Sequence, residues 1–475
     1  MEGAPMSDVV KCDICVIGAG SGGLSVAAGA SQMGARVVLV EKGRMGGDCL
    51  NYGCVPSKAL LAAAKMAAMP RKAAKMGVGL SAAVDFARVH DHVHHVIAEI
   101  APHDSVERFE ALGVTVIQGA ARFTGPREIE AAGRRVQARY FVVATGSAAT
   151  APPIPGLDTV PYLTNESLFE LTECPGHLVV IGGGPIGMEM AQAHRRLGAQ
   201  VTVLEAAGIL ARDDAEAAEI VKLALRRDGV TLREGVAIAA VERTGAGVAV
   251  ILKDGSRIEG THLLVAAGRR AVLDGLNLAA AGVAHTARGV TVDARLRSSN
   301  RRVYAVGDAA GRMQFTHAAN YHAGIAIRNM LFKLPARASD DAIPWVTYTD
   351  PELAGVGLGE AAARERHGRI NILRFPYAEN DRAVAEHQHD GFIKVIVTPR
   401  GRILGATIVG AHAGELIQPW TLALSQKLGI GAMAGVVAPY PTLGEIGKRA
   451  AGSFYTAKLF SPFTRRLVRL LSLLD

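Results

Sequence analysis

Cysteine is scarce in this chain of 475 residues, with only five present. That is too few for a disulfide scaffold and suits a reducing compartment. Aromatic residues make up 5% of the chain and tryptophan occurs twice, whereas glycine occurs 54 times and 49% of residues are apolar. This balance favours packed α/β layers over a β-sandwich or a disordered chain. No uninterrupted apolar run is long enough to span a bilayer. The opening MEGAPMSDVVKCDICVIGAG has no charged segment followed by an apolar stretch and a small-residue cleavage site, so a cytoplasmic location is the expectation. Basic runs interleaved with aromatics are also lacking, and the net charge of +8 therefore implies no nucleic-acid partner. The length calls for about three compact units.

What is present is a motif used twice. DICVI (13–17) reads as a buried strand, and Gly18-Ala-Gly20-Ser-Gly-Gly23 follows it, then a small-residue helix and the strand GARVVLVE ending at Glu41. In such a loop the first glycine makes the tight turn, the second admits a pyrophosphate to the backbone, and the third lets helix and strand approach. LVVIGGGPIGMEMAQAHRRLGAQVTVLE repeats the plan with Gly182, Gly184, Gly187 and Glu205, and the spacing from first glycine to terminal glutamate is again 23. Two dinucleotides are expected, with each glutamate placed for ribose hydroxyls. The segment Arg297 to Asp308, ending Tyr304-Ala-Val-Gly307-Asp308, resembles the second flavin-binding segment of FAD enzymes, which assigns FAD to the first unit. Glu205 favours NADH over NADPH in the second, and Arg212 a few residues on softens that preference. VVATGS (142–147), with Thr145 and Gly146, and LVAAGRR (264–270), with Gly268, read as chain crossings between the two units; the former are counted with FAD and Gly268 with NAD(P).

Between the first unit and the next helix lies GGDCLNYGCVPSKALL. Cys49 and Cys54 are five apart, about 7.5 Å of rise on a regular helix, which exceeds ordinary disulfide Cα spacing. A bridge between them needs a distorted turn, which Asn51 and Gly53 permit, and a strained bridge is readily reduced.

With both fingerprints, the C-x-x-x-x-C-V-P-S-K segment, the Tyr304 to Asp308 segment and IPWVTYTDPELAGVGLGE (343–360), the chain resembles the class I pyridine nucleotide-disulfide oxidoreductases over essentially its whole length. That family includes dihydrolipoamide dehydrogenase, glutathione reductase and mercuric reductase. The resemblance implies an α/β fold with two Rossmann-like dinucleotide-binding domains and a C-terminal α+β dimerisation domain. FAD would occupy 1–150 with 270–340, NAD(P) 151–269, and the homodimer interface 341–475. It further implies that Cys54 faces the flavin, that Cys49 exchanges with substrate, and that Lys58 and Glu189 form an ion pair beside the flavin ring, where a cation stabilises reduced flavin. The implied acceptor is a small-molecule or protein-bound disulfide.

The sequence departs from the family in its last domain. Lipoamide dehydrogenases and glutathione reductases carry His-Pro-x-x-x-x-Glu there; this chain has APYPTLGE, with Tyr440 in place of the histidine and Glu445 retained. An ordinary tyrosine, with a pKa near 10, is a poor base beside imidazole near 6.5. Tyrosine at this place resembles mercuric reductases and raises metal-ion reduction as the rival reading. The tail TRRLVRLLSLLD lacks the cysteine pair of that group, no metal-binding domain is expected before the first strand, and Pro185 stands where some of its members have a second tyrosine. A flavoprotein serving mainly as an electron-transfer partner is a third reading.

Other features are read structurally. Cys12 and Cys15, three apart on a strand, are expected on opposite faces as filler, and Cys174 carries no signal. His90, His92, His94 and His95 are read as a solvated helix with Asp91 the only carboxylate nearby, so no metal site is expected. The amphipathic tail, with Phe463, Leu467, Leu470, Leu471 and Leu474 against Arg465, Arg466 and Arg469, is expected to pack on the dimer rather than on an anionic membrane.

Overall fold

The computed structural model describes residues 9–245 and 247–474; the start of the segment read for an export signal, residues 1–8, lies outside them. The described residues fall into two compact units, one drawn from 1–63, 84–182 and 238–340, the other from 64–83, 183–237 and 341–475.

In the first unit β1 (Val9–Ile17) is followed by helix α1 (Ser21–Gln32) and β2 (Val37–Glu41). β1 pairs in parallel with β2 from Ile14↔Val37 to Ile17↔Val40. Helix α2 (Gly47–Asn51), helix α3 (Cys54–Ala67) and helix α4 (Phe86–Ile100) come next. β3 (Arg134–Val143) then pairs in parallel with the other side of β1. Alternate side chains of this sheet enter separate cores: Phe141 and Val143 pack with Phe123 and Val303, whereas Val142 packs with Ile14, Val16 and Leu39. A parallel sheet covered on both faces needs apolar residues at every position, which is why DICVI and VVLVE read as continuous apolar runs. Each fully buried valine or leucine contributes about 1.5–3 kcal/mol.

β4 (Ser147–Ala149) leaves this sheet, and β5 (His177–Ile181) pairs in parallel with β7 (His262–Val265). From β5 the chain passes through 182–184 directly into helix α5 (Pro185–Arg196). The second unit holds β6 (Gln200–Glu205), paired in parallel with the strand Thr231–Glu234. Back in the first unit, β8 (Arg269–Ala271) pairs antiparallel with β4, so the two expected crossings hydrogen-bond to one another as a ribbon. β9 (Val303–Ala305) returns to β3, and helix α6 (Thr316–Met330) packs on α1, where a Cβ on Gly29 would lie 2.8 Å from Ile327 Cδ1.

The remainder of the second unit is a five-stranded antiparallel sheet covered by helices, including α7 (Glu445–Leu459). Its core gathers Trp420, Ile393, Val395, Ile408 and Ile446. Helix α8 (Pro462–Leu471) buries none of its residues. No described helix is long and apolar enough to cross a membrane.

Cys12 and Cys15 do not separate onto opposed cores: both pack in the cluster around Phe123 and Phe141. The strand's hydrogen bonding is irregular at Asp13, where Asp13 N and Ile14 N both donate to Arg36 O, at 2.9 and 3.2 Å. Burial pushes the Cys12 thiol up to about 12 and the Cys15 thiol up as well, so both are inert filler.

Candidate functional site: two phosphate loops and a thiol pair

The two glycine-rich loops are built alike. Gly18 has φ +106° and Gly182 φ +116°. A Cβ at Gly18 would lie 2.4 Å from Ala144 O, and one at Gly182 would lie 2.4 Å from Ala266 O. Only glycine lets each strand end turn beside the neighbouring crossing. The Glu41 carboxylate accepts from Ala19 N at 2.5 Å and Gly43 N at 2.6 Å. Glu205 accepts from Gly183 N at 2.6 Å and Ala207 N at 2.8 Å. Each carboxylate is thus oriented by two backbone amides and keeps acceptor capacity for ribose hydroxyls. Gly20 and Gly184 cap α1 and α5 without any side-chain cap, which leaves the helix N-termini to accept phosphate. Gly23 and Gly187 are buried in the first turns of those helices.

The thiol pair sits where the helix breaks. α2 ends at Asn51 and α3 begins at Cys54, so the two cysteines do not share a regular helix. Gly53 allows the return, because a Cβ there would meet Asp48 O at 2.9 Å and Cys49 Cα at 3.2 Å. Both sulfurs are free thiols, Cys49 half-buried and Cys54 exposed. Thr316 Oγ1, at the first residue of α6, donates to Cys49 Sγ at 3.2 Å and lies 3.5 Å from Cys54 Sγ. Cys54 is lowered to about 6, chiefly by the hydrogen bond from the Cys49 thiol; Thr316 and Lys58 assist against burial and the Asp48 charge. Cys49 is pushed well above the ordinary thiol range by the same hydrogen bond and by burial. The hydrogen bonding and the Lys58 charge therefore favour the negative charge on Cys54 and the proton on Cys49.

A polar network anchors this region. Asp308 accepts from Ser147 Oγ, and Arg269 donates Nε to Ser147 Oγ and NH2 to Ser147 O, both at 2.8 Å. The Arg269 guanidinium also lies 3.1 Å from Asp48, whose other oxygen accepts from Asn165 Nδ2 at 2.9 Å. Burial raises the Asp308 carboxyl above its usual range, opposed by Ser147 and Arg269. Thr145 Oγ1, two residues before Ser147, is buried with no hydrogen-bond partner among the described residues. An orphaned hydroxyl, a half-buried aspartate and an uncapped helix N-terminus fit the donors and acceptors of a dinucleotide. Gly146 and Gly268 flank the β4–β8 ribbon with φ +66° and +136°.

In the second unit Glu189 is 4% exposed on α5, and its Oε1 accepts from Tyr348 N at 3.0 Å. Lys58, in the first unit, donates to Ser57 Oγ at 3.3 Å. Tyr440 is 70% exposed and donates to Asp381 Oδ2 at 2.8 Å. The Asp381 carboxylate, with Glu445 adding to it, pushes the phenol above its ordinary range. Glu445 opens α7.

Sequence reading missed Thr316, Ser147, Arg269, Asn165 and Asp381. Ser147 and Arg269 stand in the crossings that it did recognise. It also misjudged the histidine cluster: Asp91 is not the only carboxylate there, because the one-turn helix Leu168–Glu170 brings Glu170 alongside His90 and His94.

This arrangement defines a dinucleotide-dependent oxidoreductase with a dithiol centre. Residues 12–323 match the Pyridine nucleotide-disulphide oxidoreductase family, and residues 343–451 match its dimerisation domain. The chain belongs to the class I pyridine nucleotide-disulfide oxidoreductases, enzymes that use FAD and NAD(P)H. It is similar to a "Mercuric reductase" of Bacillus cereus, 35% identical over 449 residues that cover 93% of this chain and 71% of the relative. It is also similar to a "Dihydrolipoyl dehydrogenase" of Thermus scotoductus, 35% identical over 448 residues covering 91% and 95%. Among solved structures it is similar to the HOCl-induced flavoprotein disulfide reductase RclA of Escherichia coli, with TM-score 0.84, 27% identity, and 93% and 99% of the two chains covered.

Proposed function

We propose that this enzyme is an NAD(P)H-dependent reductase that closes and opens a Cys49–Cys54 disulfide and delivers its electrons to a disulfide-type acceptor. The observation that carries this reading is the geometry of the pair: two free thiols at the break between α2 and α3, both within reach of the Thr316 hydroxyl, at 3.2 Å from Cys49 Sγ and 3.5 Å from Cys54 Sγ, in surroundings that lower Cys54 and raise Cys49. FAD, when bound, would supply two-electron transfer between the nicotinamide and the disulfide. In this reading Gly18, Gly20, Gly23, Glu41, Thr145, Gly146 and Asp308 hold FAD, and Gly182, Gly184, Gly187, Glu205 and Gly268 hold NADH. Lys58 favours the Cys54 thiolate by charge. Cys49 takes up the proton on reduction, then attacks the acceptor once deprotonated. The net change is NADH, a proton and a disulfide going to NAD+ and a dithiol. The working molecule is a homodimer, located in the cytoplasm, where a dithiol centre is kept reducible.

Anaerobic titration with NADH tests it. A long-wavelength absorption band, from a thiolate against oxidised flavin, should appear in wild type and vanish in Cys54→Ser; wild type without the band would end the proposal.

Reduction of a soft metal ion such as Hg(II) is the second reading, favoured by Tyr440. A phenol hydrogen-bonded to Asp381 and held above its ordinary range is neutral at pH 7 and serves thiol interchange poorly as a base. Rates with dihydrolipoamide, glutathione disulfide and Hg(II) separate the two. Tyr440→His should raise dihydrolipoamide turnover about 100-fold, the lower range of general acid–base catalysis; no gain would show that the missing imidazole does not limit lipoamide chemistry.

A further inference from the structure

We propose that His90, His94 and Glu170 form a binding site for a divalent transition-metal ion of the zinc type. The site lies in the first unit, on elements that the thiol chemistry does not use. His90 and His94 are one turn apart on α4, with ring centroids separated by 4.3 Å. Both are half-buried, whereas His92 and His95 on the same helix are exposed. The helix thus divides its four histidines into an inward pair and an outward pair. Against the inward pair lies the one-turn helix Leu168–Glu170.

The separations suit coordination. One ligand atom from each of His90, His94 and Glu170 falls within 4.8 Å of the other two. His94 Nε2 is 3.8 Å from Glu170 Oε2 and 3.1 Å from Phe169 O. Ligands about 2.0–2.1 Å from a tetrahedral zinc ion stand roughly 3.3 Å apart. Those two distances bracket that value, and no pair needs to close by more than about 1.5 Å. Glu170 can supply the movement, since its side chain is 56% exposed. Two imidazoles and a carboxylate leave a fourth position for water or Phe169 O, and they form a donor set suited to Zn2+ or Cu2+ rather than Mg2+ or Ca2+. Asp91 Oδ1 lies 3.2 Å from His90 Nδ1. That is the outer-shell contact which fixes a ligand ring and leaves Nε2 to the metal.

Zinc titration calorimetry on the FAD-loaded enzyme, with Cys49 and Cys54 oxidised to the disulfide so that their thiols do not compete, tests the site. Wild type should bind one Zn2+ per chain. His90→Ala and His94→Gln should abolish that binding, Asp91→Asn should weaken it about 10-fold, and His92→Ala with His95→Ala should leave it intact. His94→Gln keeps a donor for Phe169 O, so a folded protein that no longer binds separates coordination from a hydrogen bond. Cu2+ bound in place of zinc should give an electron paramagnetic resonance spectrum with hyperfine splitting from two imidazole nitrogens. Absence of zinc binding by wild type, or equal binding by His90→Ala and His94→Gln, would overturn the proposal.

Discussion

Two thiols five positions apart hold their protons with very different strength, and the difference comes from their neighbours. Cys49 donates to Cys54, while Lys58 and Thr316 add positive charge and a second hydrogen bond near the same sulfurs. The reduced pair should therefore lose its first proton near pH 6, well below an ordinary thiol, and its second well above one. The sign follows: a thiolate with a folded pKa below its unfolded value adds stability that is fully present above about pH 9 and lost as pH falls toward 6. Thiolate ultraviolet absorbance of the reduced enzyme should rise through pH 6, and Lys58→Met should move that midpoint upward. A midpoint near the unperturbed thiol value in wild type would contradict this account of the pair. At this scale the sequence was only partly legible. The cysteines, Lys58 and Asp308 announce themselves through local motifs, whereas Thr316 stands 267 residues from Cys49 and meets it only because α6 folds beside α1.

Elements carry two kinds of information, and the glycine loops show the legible kind. The turn after β1 and the turn after β5 both place a glycine where an added Cβ would lie 2.4 Å from a carbonyl oxygen of the next crossing, and both direct a terminal glutamate back to the loop amides. Such geometry depends on contiguous residues, which is why spacing alone revealed it. Gly18→Ala should lower the flavin content of the purified enzyme, while Gly182→Ala should retain flavin and raise the KM for NADH; the reverse pattern would exchange the two loops. The illegible kind is a through-space ion pair. Lys394 is 4% exposed in the strand Phe392–Val397, where all six residues are buried, and its ammonium meets Asp214 at 2.7 Å and Glu216 at 2.8 Å. Asp214 also caps the helix Ala215–Asp228. Lys394→Met should cost about 3 kcal/mol, because it strands the Asp214 carboxylate. Adding Asp214→Asn should recover most of that, since asparagine still caps and carries no charge. Urea unfolding measures both; a double variant no more stable than the single one would reject the ion-pair explanation.

At the scale of the whole molecule the residues beyond the dimerisation match are the ones without an assigned partner surface. The match ends at 451, and from Ile446 to Leu474 the sequence carries Lys448, Arg449, Lys458, Arg465, Arg466 and Arg469 with no acidic residue. α8 is capped at its start, where Ser461 Oγ accepts from Thr464 N at 3.2 Å. Yet Phe463 is 76% exposed and Leu470 65% exposed. A ten-residue helix is marginal by itself in water, so its apolar stripe needs a surface to cover it. Covering a phenylalanine and three leucines contributes about 1.5–3 kcal/mol each at full burial, enough to matter in a subunit interface. The second subunit is the expected cover. Truncation after Leu459 should weaken self-association at least about 10-fold, which corresponds to about 1.4 kcal/mol, as read by sedimentation equilibrium. An unchanged dimer that loses co-sedimentation with anionic vesicles would instead assign the stripe and its three arginines to a lipid surface, where binding should also fall steeply with salt.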